Sequence, residues 1–194
     1  MTYKTHLTTG LLFSSVFFLL ILKIEPSLTL AVFLTLAAGL GSSAPDLDTP
    51  SGELWHKVPA GSLVSRIINP VFIGGHRHLS HSLIGFGLLA FLFWLLLKLI
   101  IPSFPLIHNF EPMIILSFAL GYASHLFADM FTEMGVPLLF PLDYHFGIPP
   151  DPLGKIRIKT GRWFENLIIY PLVSIALLVV VYLYAKEHFN IFGL

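Results

Sequence analysis

Three short stretches place imidazole and carboxylate groups at the borders of long apolar runs. The stretch Gly74 to Gly85 holds His76, Arg77, His78 and His81 just ahead of an apolar run that begins at Leu83. His125 and Asp129 close a second apolar run, and Asp46 and Asp48 follow a third. Ionisable groups at the mouth of a membrane segment are costly unless they bind something or one another. Convergence on one metal site at the membrane surface is therefore expected. His125 and Asp129 lie four residues apart, which on a helix puts them on one face with Cβ atoms about 6 Å apart. That spacing suits two ligands to one ion, or one ligand to each of a close pair. Asp46 and Asp48 are separated only by Leu47. In an extended turn both carboxylates can face one ion or bridge two; Pro45 and the aspartates equally suit a helix-terminating turn. His81 abuts the start of the Leu83 run, where free N–H groups attract anions. Arg77 can hold a phosphate or carboxylate in a bidentate pair, or meet lipid phosphates.

The elements that must position these groups are membrane spans. Of 194 residues, 55% are hydrophobic and 11% charged, and the mean hydropathy is +0.82. A soluble domain carries about 25% charged residues, so the composition is that of an integral membrane protein. The net charge of zero gives no sign of nucleic-acid binding. The absence of cysteine excludes disulfides, thiolate metal sites and a cysteine nucleophile. Nine histidines leave imidazole and carboxylate as ligands, suited to Zn²⁺, Mn²⁺ or Fe²⁺. Five spans are predicted, over residues 7–24, 28–44, 83–101, 113–131 and 167–185, forming one all-α domain of five transmembrane helices. Two short apolar runs, residues 63–68 and 136–141, are too short to span and are expected at the interface. No cleavable signal peptide is evident.

Five spans put every candidate group on one membrane face. His6 begins the first span and Asp46 and Asp48 end the second. His76 and His81 precede the third, His125 and Asp129 end the fourth, and Glu165 precedes the fifth. Eight of the 11 lysines and arginines fall on that face and three on the other. The positive-inside rule then predicts a cytoplasmic N-terminus in a multi-pass protein of the inner membrane. A glycine sits one helical turn deeper than each of three histidines: Gly10 after His6, Gly85 after His81 and Gly121 before His125. There a neighbouring backbone can press against the ligand-bearing face. His108 and His188 fall on the far side, His56 and His145 lack a framing pattern, and Asp143 and Asp151 are expected in solvent.

Thr5-His6 with Gly10, Pro45-Asp46 with Asp48, His76-Arg77 with His81-Ser82, and Gly121-Tyr122 with His125 and Asp129 form an ordered motif set, followed by Gly135 to Pro141. Over nearly the whole chain this resembles the LexA-regulated, membrane-bound, metal-dependent hydrolases (the YdjM-like family). The resemblance implies an inner-membrane hydrolase that depends on metal, and His6, Asp46, Asp48, His76, His81, His125 and Asp129 match its pattern. His78 stands where that pattern has a small residue and receives no role.

The reading that follows is a metal-dependent hydrolase with one or two divalent ions, Zn or Mn. His6, Asp46, Asp48, His81, His125 and Asp129 are the expected ligands. His76 is a ligand or proton shuttle, Arg77 holds the substrate's anionic group, and Glu165 or Glu133 is a supporting carboxylate or general base. A site at headgroup depth points to membrane lipids as surroundings and to an amphiphilic, anionic substrate such as a lipid phosphoester or lipid-linked intermediate. The alternatives are a non-enzymatic metal-binding membrane protein, a transporter, or a scaffold whose ion staples helices together. Transporter sites lie near the midplane, often between repeats, and no repeat is visible here.

Overall fold

A computed structural model describes residues 1–48, 55, 78–103 and 105–189. It contains five helices long and apolar enough to cross a membrane: Tyr3–Ile21, Leu28–Asp48, Leu83–Ile100, Ile107–Met130 and Glu165–His188. Their α-helical bodies are α1 (Tyr3–Ser15), α2 (Leu28–Ser43), α3 (Leu83–Ile100), α4 (Glu111–Met130) and α5 (Tyr170–Phe189). In hydrocarbon every backbone N–H and C=O must be satisfied within the segment, so these apolar runs have no alternative to the helix short of a closed barrel. The starts are written in the sequence. Ser27 Oγ accepts from Leu30 N at 3.2 Å and Ser82 Oγ accepts from Gly85 N at 3.0 Å. Pro112 sits in the first turn of α4, where its missing N–H costs nothing.

α1, α2 and α4 form the interior, and α3 and α5 lie outside. Gly85 is the buried residue of α3, whereas Phe91, Leu92, Leu96 and Leu99 are exposed. The outer face of α5 is likewise apolar, with Leu172, Ile175 and Leu178 exposed, as lipid contact requires. The interior pairs are close because small residues permit it. A methyl group added to Gly41 would strike the Phe118 carbonyl, and one on Gly121 would strike the Ala38 carbonyl. Deeper in the bundle, Ser14 lies 2.8 Å from Ser117 Oγ, which donates to the Leu34 carbonyl at 2.7 Å. One polar thread thus ties α1, α2 and α4 together where lipid offers no competing partner.

Three spans begin before their hydropathy boundaries, and the first ends short of its own. α1 begins at Tyr3 rather than Leu7, so Thr5 and His6 are helical. Its π-helical continuation stops at Ile21, and Lys23 then takes a left-handed conformation at φ 51°. The fourth span starts at Ile107 and the fifth at Glu165. Hydropathy marks the hydrocarbon core, whereas a helix continues into the polar interface. The C-terminal end of α2 departs more usefully from expectation. Ala44–Asp48 is a 3₁₀ turn rather than an extended one. With three residues per turn, side chains two apart diverge by about 120°, so Asp46 and Asp48 face different partners.

The connection between α4 and α5 folds back across the ligand-bearing end. Val136 and Phe146 form an antiparallel bridge, with N–H···O distances of 2.9 and 2.8 Å. Ile158 N donates to Phe131 O at 2.9 Å. The apolar run 136–141 packs here, and Leu138 O accepts from Leu83 N at 3.0 Å, capping α3. The other short apolar run, 63–68, lies outside the described residues.

Candidate metal centre

Four helix ends meet at one end of the bundle, and each delivers part of a His/Asp cluster. His6 comes from the first turns of α1, Asp46 and Asp48 from the turn after α2, His81 from just before α3, and His125 and Asp129 from the last turns of α4. His6, His81, His125, Asp48 and Asp129 are buried, and Asp46 is 29% exposed. The His6 and His125 rings stack in parallel, with centroids 3.6 Å apart. His125 Nε2 lies 3.3 Å from His81 Nε2, 3.8 Å from Asp46 Oδ1 and 3.8 Å from Asp129 Oδ2. His81 Nε2 is 3.9 Å from Asp46 Oδ1 and 3.7 Å from Asp129 Oδ2. Two overlapping groups have ligand atoms within 4.8 Å of one another: His6, Asp46 and His125, and His81, His125 and Asp129.

The outer hydrogen bonds fix which ring nitrogens face inward. His125 Nδ1 lies 2.7 Å from the Ser42 carbonyl oxygen. A carbonyl only accepts, so Nδ1 carries the proton, and Nε2 of the neutral ring presents a lone pair. On His81 the same result comes through Ser80. Ser80 Oγ donates its only proton to Asp48 Oδ2 and lies 3.0 Å from His81 Nδ1, so it must accept there. Asp48 therefore sits behind His81, 3.8 Å from Nδ1, rather than on the inward side with Nε2. Carboxylate–histidine arrangements of this kind set ring orientation and basicity at metal sites.

These contacts test whether a divalent cation fits. Two imidazole Nε2 atoms that both carry lone pairs repel at 3.3 Å unless they share a cation. The edge of a tetrahedron with metal–nitrogen bonds of 2.0–2.1 Å is about 3.3–3.4 Å. His6 gives a second test. It is buried, and neither ring nitrogen makes a hydrogen bond among the described residues. Its Nε2 is 3.2 Å from Asp129 Oδ1 yet lacks hydrogen-bond geometry, and such an orphaned buried nitrogen suits a ligand. The Met1 ammonium also contacts Asp129 Oδ1, so a positive charge is already accommodated at this carboxylate. The donor set is all nitrogen and oxygen, which suits zinc or manganese.

Glu165 occupies a different position. Its Oε1 accepts from Thr2 N at 2.6 Å and Thr2 Oγ1 at 2.8 Å, and its Oε2 accepts from Gly161 N at 2.7 Å. These bonds hold the start of α1 against the start of the fifth span, and so set the height of His6. Glu133 pairs with Lys159 at 3.5 Å, in the loop. His76 and Arg77 lie outside the described residues, as does His56. Ser42, Ser80 and Tyr122 were not singled out as site residues by sequence, yet they orient the histidines. Tyr122 is fully buried and its hydroxyl donates to the Ser80 carbonyl. Its place in the motif beside Gly121, one turn before His125, was the available signal.

The class defined by these features is an integral membrane protein of five helices with a buried His/Asp cluster at one end of the bundle. The chain belongs to the YdjM inner membrane protein family, which it matches over residues 1–189. It is 28% identical over 138 residues to YvsG of Bacillus subtilis (strain 168), covering 71% of this chain and 72% of that protein. It is 37% identical over 106 residues to inner membrane protein YdjM of Escherichia coli (strain K12), covering 54% of this chain and 47% of the relative. Inner membrane protein YdjM of Shigella flexneri gives the same figures. The match thus spans about half the length of the YdjM proteins. No solved structure matches the chain.

Proposed function

We propose that this protein is a membrane-bound, metal-dependent hydrolase working at the cytoplasmic membrane interface on an amphiphilic, anionic substrate, with a lipid or lipid-linked phosphoester as the preferred class. The observation that carries the reading is the pair of inward-facing Nε2 atoms of His81 and His125, 3.3 Å apart and flanked by Asp46 and Asp129. His81, His125, Asp129, Asp46 and His6 would hold the ion. Asp129 presents Oδ1 to His6 and Oδ2 to the other two histidines, which suits either one ion or an adjoining pair bridged by its carboxylate. A divalent ion in that setting supplies a Lewis acid and lowers the pKa of a bound water toward neutrality.

The chain's own residues do the rest. Ser42 and the Asp48–Ser80 pair hold the Nδ1 atoms of His125 and His81 on the outer side, so both Nε2 atoms are aimed inward. Buried surroundings exclude bulk water from all the ligands except Asp46. Asp46, the one partly exposed carboxylate of the cluster, gives the site its opening to solvent. Arg77, adjacent to this cluster in sequence, would bind the substrate's anionic group in a bidentate pair. The site lies at helix ends, and a place near the headgroups, which apolar spans of this length would give it, favours an amphiphilic substrate over a water-soluble one.

The test is hydrolysis of phosphate-ester lipids, phosphatidic acid first, by protein purified in detergent, chelated and then reloaded with Zn²⁺ or Mn²⁺. Release of inorganic phosphate or of a free headgroup only in the metal-loaded sample is expected. Stoichiometric metal without turnover of any lipid ester in the series would favour the stapling role instead.

A further inference from the structure

Just ahead of the fifth span, Lys155, Arg157, Lys159 and Arg162 follow one another with no acidic residue between Asp151 and Glu165. Three of them, Arg157, Lys159 and Arg162, line one open cavity together with Ile156, Trp163 and Phe164. No carboxylate lines it. The backbone brings two of these cations together. Arg162 N donates to Lys159 O at 3.2 Å, and Gly161, at φ 74°, takes the third position of that turn. Glycine is the residue that a left-handed conformation there favours, and the turn holds the Cα atoms of Lys159 and Arg162 within about 7 Å. Ile158 N donates to Phe131 O at 2.9 Å and Ile158 O accepts from Glu133 N at 3.1 Å, which fastens the segment before the turn to the end of α4.

The charges around the cavity are unequally neutralised. Arg157 is buried, its Nε donates to Pro149 O at 2.7 Å, and its Nη2 lies 3.4 Å from Asp151 Oδ1. Lys159 lies 3.5 Å from Glu133, with both side chains exposed. Glu165, the next acid along the chain, is buried and accepts from Thr2 and Gly161. Arg162 has no ion pair among the described residues. Beside these cations, Ile156 is 73% exposed and Trp163 67%. Large apolar side chains next to cations are unfavourable in water and ordinary at the headgroup level, where a tryptophan ring sits between hydrocarbon and water. Trp163 and Phe164 directly precede Glu165, the first residue of the fifth span.

We infer that this cavity binds the phosphate of an anionic phospholipid on the membrane face that carries the His/Asp cluster. Arg162 supplies a bidentate donor and Lys159 a second charge. Ile156, Trp163 and Phe164 meet the glycerol backbone and the first methylenes of the acyl chains. A soluble phosphate would leave those three side chains facing water. A zwitterionic lipid would bring its ammonium group to a cavity that has no carboxylate to receive it. The site stands apart from the hydrolase reading, and the lipid held there takes no part in turnover.

Trp163 is its own reporter. The chain has three tryptophans, and Trp55→Phe with Trp94→Phe leaves Trp163 alone. This protein is reconstituted in phosphatidylcholine, and a rising fraction of the lipid is replaced by phosphatidylglycerol brominated near the carbonyl end of its acyl chains. Phosphatidylcholine brominated in the same way is the comparison. Brominated chains quench tryptophan on contact. Phosphatidylglycerol is expected to reach half-maximal quenching at a mole fraction at least about fivefold lower than phosphatidylcholine, the worth of one basic side chain at an anionic surface. Arg162→Gln should reduce that preference about fivefold, and adding Lys159→Gln should leave the two lipids equivalent. Lys4→Gln removes a charge from the same end of the bundle but outside the cavity, and should keep the preference. Native mass spectrometry of the protein with all its tryptophans gives a second reading. It should retain at least one more phosphatidylglycerol molecule than Lys159→Gln/Arg162→Gln does.

Equal quenching by the two lipids would overturn the site and leave Trp163 in ordinary bilayer. A loss in Lys4→Gln as large as that in Arg162→Gln would also overturn it, by assigning the preference to diffuse charge. Relief of phosphatidylglycerol quenching by millimolar inorganic phosphate at constant ionic strength would make the ligand a soluble anion instead. Should the variant with one tryptophan fail to fold, the lipid count decides, and equal retention by wild type and double variant overturns the site.

Discussion

Tyr122 donates its hydroxyl proton to the carbonyl oxygen of Ser80, joining the middle of α4 to the turn that carries His81. The phenol is completely buried, and its ring lies 5.1 Å from that of Phe86 in α3. Removing the hydroxyl leaves the Ser80 carbonyl without this donor and loosens the Asp48–Ser80–His81 chain. Tyr122→Phe is expected to keep the fold and lose about 1–3 kcal/mol of stability, the cost of one unsatisfied buried group. Its zinc affinity should fall about 10–100-fold, the usual effect of disturbing a group that orients a ligand. Thermal unfolding in detergent and a competitive chelator titration measure the two effects. An unchanged affinity would mean that the turn holds His81 without help from α4.

How much of this was legible in sequence depended on the range of the interaction. The spans follow from hydropathy, because lipid leaves an apolar run few choices of structure. The grouping of His6, Asp46, His81, His125 and Asp129 follows from counting spans, since each lies at the same end of an alternating series. The division of labour between Asp46 and Asp48 was not readable. It depends on whether the chain after Pro45 is extended or 3₁₀, and Pro-Asp-Leu-Asp suits both. The role of Glu165 was also hidden, since its partners Thr2 and the Gly161 amide are joined to it only by tertiary folding. The glycines were partly legible. Gly10 and Gly121 admit a neighbouring helix, at Ser42 and Ala38, whereas Gly85 is pressed by Leu79, from the turn just before its own helix.

The contact at Gly121 is tight enough to predict a penalty. A methyl group there meets the Ala38 carbonyl oxygen and the Ser42 amide, both backbone and on α2, so no side chain can rotate out of the way. Gly121→Ala is expected to separate α2 from α4 and to destabilise the protein by about 1–3 kcal/mol, as overpacking does. Because Ser42 also orients His125, zinc binding should weaken with it. Gly87→Ala is the control: a methyl group there meets nothing within 4 Å, and stability should stay within about 0.5 kcal/mol of wild type. Equal effects of the two substitutions would refute the close approach of α2 and α4.

Orientation follows from charge rather than packing. Lys4, Lys155, Arg157, Lys159 and Arg162 lie at the ligand-bearing end, and Lys23, Lys98 and Lys186 at the other. The positive-inside rule predicts that the cluster and the N-terminus face the cytoplasm, with the C-terminus across the membrane. Alkaline phosphatase and fluorescent-protein fusions at the two ends should give opposite signals. A phosphatase-active N-terminal fusion would invert the assignment and expose the cluster to the outer compartment.

The sharpest prediction separates the two carboxylates that sequence could not tell apart. Asp46 Oδ1 approaches both inward nitrogens, at 3.9 Å from His81 and 3.8 Å from His125. Asp48 reaches His81 on the Nδ1 side, through Ser80. If the cluster binds a metal ion as proposed, Asp46→Asn removes a ligand charge, whereas Asp48→Asn removes only an orienting acceptor, and the amide oxygen can still accept from Ser80. His125→Ala and Asp129→Asn should abolish stoichiometric zinc, and Asp46→Asn should weaken it severely. Asp48→Asn should retain zinc at saturation, with affinity reduced about 10–100-fold. Metal analysis after dialysis against a chelator series gives all four values in one experiment. Loss of zinc in Asp48→Asn comparable to that in Asp46→Asn would make Asp48 a ligand and require the 3₁₀ turn to open when the ion binds. Zinc retained by His125→Ala and Asp129→Asn alike would move the metal away from this end of α4 altogether.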